Sequence, residues 1–135
     1  MTPARLARLM RVGGIASVVS GALHLAGSAR GLAARGGGYL ERGPWLFLIG
    51  FLLISSGITV AWAASGVRDG AGWARGAMYV AALQAGGLVA ATTPGFVVHM
   101  NALSVAPAII AGAHVAFVWL VRAATSAPAS AGPPR

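Results

Sequence analysis

Three polar side chains interrupt long apolar stretches of this chain: His24, Gln84 and His114. None of these stretches contains Asp, Glu, Lys or Arg, so no ionised side chain accompanies the two imidazoles and the carboxamide in the same stretch. Buried histidines hydrogen-bond to carbonyls and hydroxyls, ligate haem iron through a ring nitrogen, or carry protons. The choice among these depends on the elements that position the three residues.

Apolar runs dominate the composition of the chain. Of its 135 residues, 57% are hydrophobic and 9% are charged, whereas about 25% are charged in soluble proteins. Runs of roughly 18 apolar residues can cross the hydrocarbon layer of a membrane. The sequence predicts four such helices, at about 12–29, 45–65, 76–93 and 102–121. The expected fold is therefore all-α, an up-down bundle of four transmembrane helices over residues 1–125 with a disordered tail at 126–135.

Turn-forming residues separate the predicted helices. The pair Asp69-Gly70 favours a tight reversal, which makes the second and third helices antiparallel neighbours. The pair Pro94-Gly95 predicts the end of the third helix and an apolar connector up to Asn101. Pro107 either kinks the fourth helix in its second turn or marks its true start.

The arginines predict an orientation. With both termini and the second connector on one side, that side holds seven arginines and the other holds three; the seven are Arg5, Arg8, Arg11, Arg68, Arg75, Arg122 and Arg135. The positive-inside rule then places both termini in the cytoplasm of a bacterial cell, with the protein multi-pass in the inner membrane. Because the net charge of +8 is scattered over helix ends, it indicates a lipid bilayer and no nucleic-acid partner.

The N-terminal segment also resembles a secretory signal, with a small-x-small site at Gly27 and Ala29. Its apolar run is longer than the 7 to 15 residues typical of a signal and is interrupted by a histidine. An uncleaved first span is the favoured interpretation.

Small and polar residues share one face of the first predicted helix. This packing face consists of Gly13, Ser17, Ser20, Gly21, His24 and Ser28. A stripe of small residues follows the second helix: Gly50, Gly57, Ala61 and Ala64. Because small residues let helices approach closely in membranes, these faces predict association, in a homo-oligomer or a larger membrane complex.

His24, Gln84 and His114 lie about 20, 14 and 12 Å from the arginine-rich side if counted along their helices. A buried polar cluster of the three is one expectation, with neutral histidines hydrogen-bonded to serines, Gln84 or carbonyls. Ligation of haem by His24 and His114 is the second, and an association with quinone falls under it. Carriage of a small hydrophobic ligand in the bundle is the third. Proton pumping is disfavoured, because no span holds an acidic or basic residue.

The inventory of reactive residues does not favour an enzyme. The chain has no cysteine and only two acidic residues, and no nucleophile-base pair, phosphate loop or metal-binding helix motif occurs in it. We therefore expect no catalytic residue, no metal site and no cofactor other than the haem alternative. Ser55, Ser56 and Thr59 are expected to bond to carbonyls one turn back.

The first span, with Arg11 before the run GIASVVSGALHLAG, resembles the opening of small bacterial four-helix membrane proteins of the DoxX-like group. The resemblance covers the first span and the helix count. It implies a small integral membrane protein whose relatives act mostly as accessory subunits or are uncharacterised, and it implies no catalytic residue.

Overall fold

The computed structural model describes residues 1–35, 43–99 and 102–126, and these residues form four α-helices and no strand. The helices are α1 (Pro3–Arg35), α2 (Gly43–Arg68), α3 (Trp73–His99) and α4 (Ala102–Ser126). The all-α class and the helix count are thereby confirmed. The predicted tail lies outside the described residues from residue 127 onward, as do residues 36–42 of the first connector.

Helix α1 is much longer than the uncharged run that predicts it. The Thr2 hydroxyl accepts a hydrogen bond from the backbone N–H of Arg5 at 3.3 Å, which caps the helix one residue before Pro3. The helix then runs for 33 residues, about 50 Å at 1.5 Å per residue. Arginine and alanine both favour helix, so the charged residues that bound the apolar run do not end the helix.

Helix α3 continues through Pro94-Gly95 and ends at His99, which corrects the predicted boundary at Thr93. A proline removes one backbone hydrogen bond, a loss that apolar helices tolerate when neighbouring groups compensate for it. The segment predicted as an apolar connector is therefore largely helical, in keeping with its composition. Helix α4 begins at Ala102, which puts Pro107 in its second turn.

The turn between α2 and α3 confirms the reversal predicted at Asp69-Gly70. Gly70 has φ +69°, and the Ala71 N–H donates to the Gly66 carbonyl at 2.7 Å, the six-to-one bond of a Schellman cap. Arg68 Nε donates to Asp69 Oδ1 at 2.9 Å, and this hydrogen bond lowers the pKa of Asp69. The turn makes α2 and α3 antiparallel neighbours.

The helices pack in chain order, α1 on α2, α2 on α3 and α3 on α4, whereas α1 and α4 touch only slightly. The larger core cluster draws on all four helices near the start of α1 and the end of α4; its bulkiest fully buried members are Leu6, Met10, Val60, Val67, Met78 and Val121. The smaller cluster, Ile49, Leu53 and Leu88, draws on α2 and α3, with Ile110 of α4 packed against it. The second half of α1 is therefore supported mainly by α2.

Two of the helices are long and apolar enough to cross a membrane. They are Pro3–Ala34 and Leu46–Arg68, and 22% and 39% of their most apolar segments are buried inside the protein. By length and composition, these two helices are candidate membrane spans.

Candidate functional site: a glycine contact and a buried polar layer

Two pairs of glycines bring α1 and α2 into backbone contact. A methyl carbon added to Gly14 would lie 2.6 Å from the Gly57 carbonyl oxygen, and one added to Gly21 would lie 2.7 Å from the Gly50 carbonyl oxygen. Real carbon-oxygen contacts are seldom closer than about 3.3 Å. No residue with a side chain fits these positions without moving a helix, so the glycines determine how closely α1 and α2 approach.

The predicted packing face divides between two neighbours. Ser17, Gly21 and Ser28 are buried, and the first two lie in the α2 contact, where Ser17 is next to Gly57. Gly13 instead faces α4, since a methyl carbon there would lie 3.1 Å from the Phe117 ring. Ser20 and His24 lie at the edge of the face and are partly exposed.

The centre of the contact, Gly14, is absent from the predicted face. A signal for it exists in the sequence: Gly14 and Gly21 are seven residues apart, and so are Gly50 and Gly57. Two antiparallel helices with the same glycine spacing can match both pairs at once. The predicted face was centred on its polar residues, whereas α1 and α2 approach each other most closely at the glycines.

His114 is the most deeply buried of the predicted polar residues, with 2% of its surface exposed. Its Nδ1 lies 2.7 Å from the Ile110 carbonyl oxygen one turn back, which makes Nδ1 the protonated nitrogen of a neutral ring. The Ser56 backbone of α2 lies beside the ring. Nε2 is buried and has no hydrogen-bond partner, so its lone pair is an unused acceptor.

Gln84 pairs with Thr59, and with neither histidine. The Thr59 hydroxyl lies 3.4 Å from Gln84 Oε1 and donates to the Ser55 carbonyl at 2.8 Å. Ser55 and Ser56 donate to carbonyls three residues back. The prediction that these hydroxyls bond within their own helix is thus confirmed, and Gln84 is held at the α2-α3 contact.

These residues form a polar layer across all four helices, which we define as Ser17, Ser56, Thr59, Gln84 and His114. Ser17 lies next to Gly57, His114 next to Ser56, and Gln84 next to Thr59. Counted along their helices from the nearest arginine, Ser17, His114 and Gln84 are about 9, 12 and 14 Å deep. The layer thus combines one member of the predicted packing face with two members of the predicted polar cluster.

His24 lies outside the polar layer. Its ring lies beside the Leu46 backbone near the start of α2, and its Nε2 is buried without a hydrogen-bond partner. Leu46 and Ser56 are ten residues apart on α2, so His24 and His114 are separated by about 15 Å along the helix. Two nitrogens on one metal ion must lie about 4 Å apart. The structure therefore does not bring the two histidines together as ligands of one haem iron.

The part of the chain whose side chains are described holds no group of three or more His, Cys, Asp or Glu residues close enough to share a metal ion. What the polar layer offers is a hydrogen-bond acceptor inside an apolar bundle. Comparison with models of known protein families, with curated proteins and with solved structures finds no match to this chain.

Proposed function

We propose that this chain is a four-span protein of the bacterial inner membrane that works by helix association, as a homo-oligomer or as an accessory subunit of a membrane complex. Exposed apolar side chains on every helix support the membrane location; among them are Ile15, Leu23, Phe51, Ile58, Leu83, Val115 and Trp119. In water such a surface would aggregate, whereas in lipid it needs no cover. The accessory role is also what the DoxX-like resemblance of the first span implies.

The positions of the arginines along the bundle axis support an orientation with both termini in the cytoplasm. The contacts of Gly14 with Gly57, Gly13 with Phe117 and Gly66 with Trp73 align the four helices. In that alignment six arginines fall within about 12 Å along the bundle axis. We call this the arginine end, and its members are Arg5, Arg8, Arg11, Arg68, Arg75 and Arg122. Arg30 lies toward the other end of α1, about 28 Å from Arg11, which matches the hydrocarbon thickness.

The observation that carries the proposal of association is an uncovered edge of α1. Ser20, His24 and Gly27 follow one another at intervals of four and three residues along the border of the α2 contact, where Ser20 and His24 are partly exposed and Gly27 is exposed. Gly27 is exposed and has nothing within 4 Å of an added methyl carbon. Among the described residues, α1 and α4 make only slight contact, which leaves this edge of α1 largely uncovered by α4. A small-polar-small edge that faces outward suits a partner helix.

Ser17 and Gly21 are not available to such a partner, because their contacts are with α2 of the same chain. Leucine at Gly21 would unfold the bundle and say nothing about association. Among the described residues, no atom lies within 4 Å of a methyl carbon added to Gly27, so leucine at this position tests assembly without replacing a contact of the α1-α2 packing.

The test compares Gly27→Leu with Gly86→Leu, a matched change on α3 at a second exposed glycine with nothing nearby. Each variant is extracted in mild detergent, and the protein mass of the particle is measured by light scattering after size exclusion. We expect the wild type and Gly86→Leu to run as the same assembly and Gly27→Leu to run as a smaller one, with unchanged helical circular dichroism. Equal masses for all three proteins would contradict association through this edge.

A further inference from the structure

The imidazole of His114 is held inside the bundle in its neutral form. Its Nδ1 lies 2.7 Å from the Ile110 carbonyl oxygen, and because a carbonyl oxygen only accepts, Nδ1 carries the proton of the neutral ring. Nε2 is buried and has no hydrogen-bond partner. A second proton on this ring would therefore bind at Nε2, a position at which no carboxylate is hydrogen-bonded to it.

The helices around His114 supply no charge that would stabilise an imidazolium. Along each helix of the described part of the chain, the charged or titratable residues closest to the level of His114 are Arg11 and His24 on α1, Arg68 and Asp69 at the end of α2, Tyr79 on α3 and Arg122 on α4. The carboxylate in this set, Asp69, is thirteen residues from Ser56, about 20 Å along the α2 axis, and it is paired with Arg68. Arg122 lies about 12 Å from His114 along α4 and would repel a further positive charge. The Ser56 backbone lies beside the ring, but it carries no net charge.

Protonation of His114 would therefore oppose the packing of α4. An unpaired charge is costly inside a protein, and the cost is relieved when the ring moves to a polar environment. Among the described residues, α4 packs mainly on α3 and makes only slight contact with α1 and α2. Separation of α4 from α2 is thus the movement that uncovers the ring while breaking few other contacts.

We propose that His114 makes the contact between α4 and α2 sensitive to protons: the neutral ring packs beside Ser56, and protonation at Nε2 releases α4 from α2. A histidine in a polar environment takes up a proton near pH 6.5. The packed form has the neutral ring and the released form can bind the extra proton, so packing is favoured fully above that pH and is lost as the pH falls below it. This device does not involve the Gly27 edge, so it goes beyond the proposed association.

The absence of cysteine from the chain permits a test with single thiols. Ser56 is 1% exposed and lies beside the His114 ring, so the thiol of Ser56→Cys reports on this contact. The full-length variant is purified in a non-ionic detergent, and its rate of reaction with a maleimide is measured at pH 8 and at pH 5. Each rate is divided by that of the same variant unfolded in SDS at the same pH, which removes the effect of pH on the thiol. Since release is linked to one proton, the ratio should rise about 30-fold between the two pH values.

Three control variants make the test specific. Ala7→Cys places a buried thiol seven residues before Gly14, on the side of α1 that faces α2, and its ratio should change by less than about twofold. His114→Leu, added to Ser56→Cys, removes the imidazole and should abolish the rise; His114→Gln replaces it if the leucine variant does not fold. His24→Leu, added to Ser56→Cys, removes a different histidine and should leave the rise intact.

Four results would overturn this inference. A constant ratio for Ser56→Cys would show that the bundle tolerates the charge, and a rise that persists without His114 would assign it to another group. An equal rise for Ala7→Cys would show that acid unfolds the whole bundle. A lower ratio at pH 5 would show that the protonated ring bonds to the Ser56 carbonyl and tightens the contact. The comparison of Gly27→Leu with Gly86→Leu tests association separately, so either proposal can fail alone.

Discussion

Replacement of Gly57 by alanine should test whether the glycine contact determines the packing of α1 on α2. The new methyl carbon would lie 2.5 Å from the Gly14 carbonyl oxygen and 2.9 Å from Ser17 Cβ. To reach an ordinary carbon-oxygen distance of about 3.3 Å, the helices must separate by about 0.8 Å. Neither neighbouring atom belongs to a side chain that can rotate away, so the strain falls on the backbone of both helices.

The expected loss can be worked from this geometry. Overpacking costs up to about 3 kcal/mol where no side chain can relax, and alanine regains about 1 kcal/mol over glycine in helix propensity. The net loss for Gly57→Ala is therefore about 2 kcal/mol of unfolding free energy. The double variant Gly14→Ala/Gly57→Ala should lose less than the sum of the two single variants, because the first methyl has already separated the helices.

Equilibrium unfolding in mixed micelles of detergent and SDS, followed by circular dichroism, measures these free energies. Gly86→Ala is the matched control, because it adds the same methyl to an exposed helical glycine with nothing within 4 Å. It should gain about 0.5 to 1 kcal/mol. A Gly57→Ala protein within about 0.5 kcal/mol of the wild type, or an equal loss in Gly86→Ala, would refute the role assigned to the glycines.

Two further substitutions test the cap and the buried histidine with the same unfolding assay. Gly70→Ala should cost about 1 kcal/mol because Gly70 has φ +69°, and Gly70→Asn should cost less because asparagine tolerates that conformation; equal stability of all three proteins would contradict the cap. His114→Leu removes a buried acceptor that has no partner and should leave stability unchanged or raise it by about 1 kcal/mol. A large loss would instead show that Nε2 is bonded in the native protein.

The fold could be predicted from composition and turn chemistry, because uncharged runs and the Asp69-Gly70 turn are local signals. The ends of the helices could not be predicted in this way, because they depend on how far residues of high helix propensity extend beyond the apolar run. The capping of α1 by Thr2 and the passage of α3 through Pro94 are both of this kind. A run of apolar residues indicates what a membrane covers and does not indicate where the helix stops.

The site residues were predicted in part, for a reason that lies in helix geometry. His24, Gln84 and His114 were grouped by depth alone, whereas a contact also requires that the residues lie on facing sides of their helices. Gln84 and His114 meet α2 three residues apart, at Thr59 and Ser56, while His24 meets it ten residues from Ser56. The depth of a residue, counted along its own helix from an arginine, can be wrong by a few residues. The glycine pairs correct this error, because they fix how α1 and α2 are aligned along the bundle axis.

That register gives the two histidines different roles in the proposed assembly. His114 lies inside the bundle, where a partner chain cannot reach its Nε2, so changes at His114 should act on the stability of one chain. His24 lies at the uncovered edge between Ser20 and Gly27, and its Nε2 is buried without a partner in the single chain. A buried acceptor without a donor is costly in an apolar environment. That cost falls on the single chain, whereas a helix that docks on this edge would cover the exposed part of the His24 ring, so changes at His24 should act on assembly as well as on the stability of one chain.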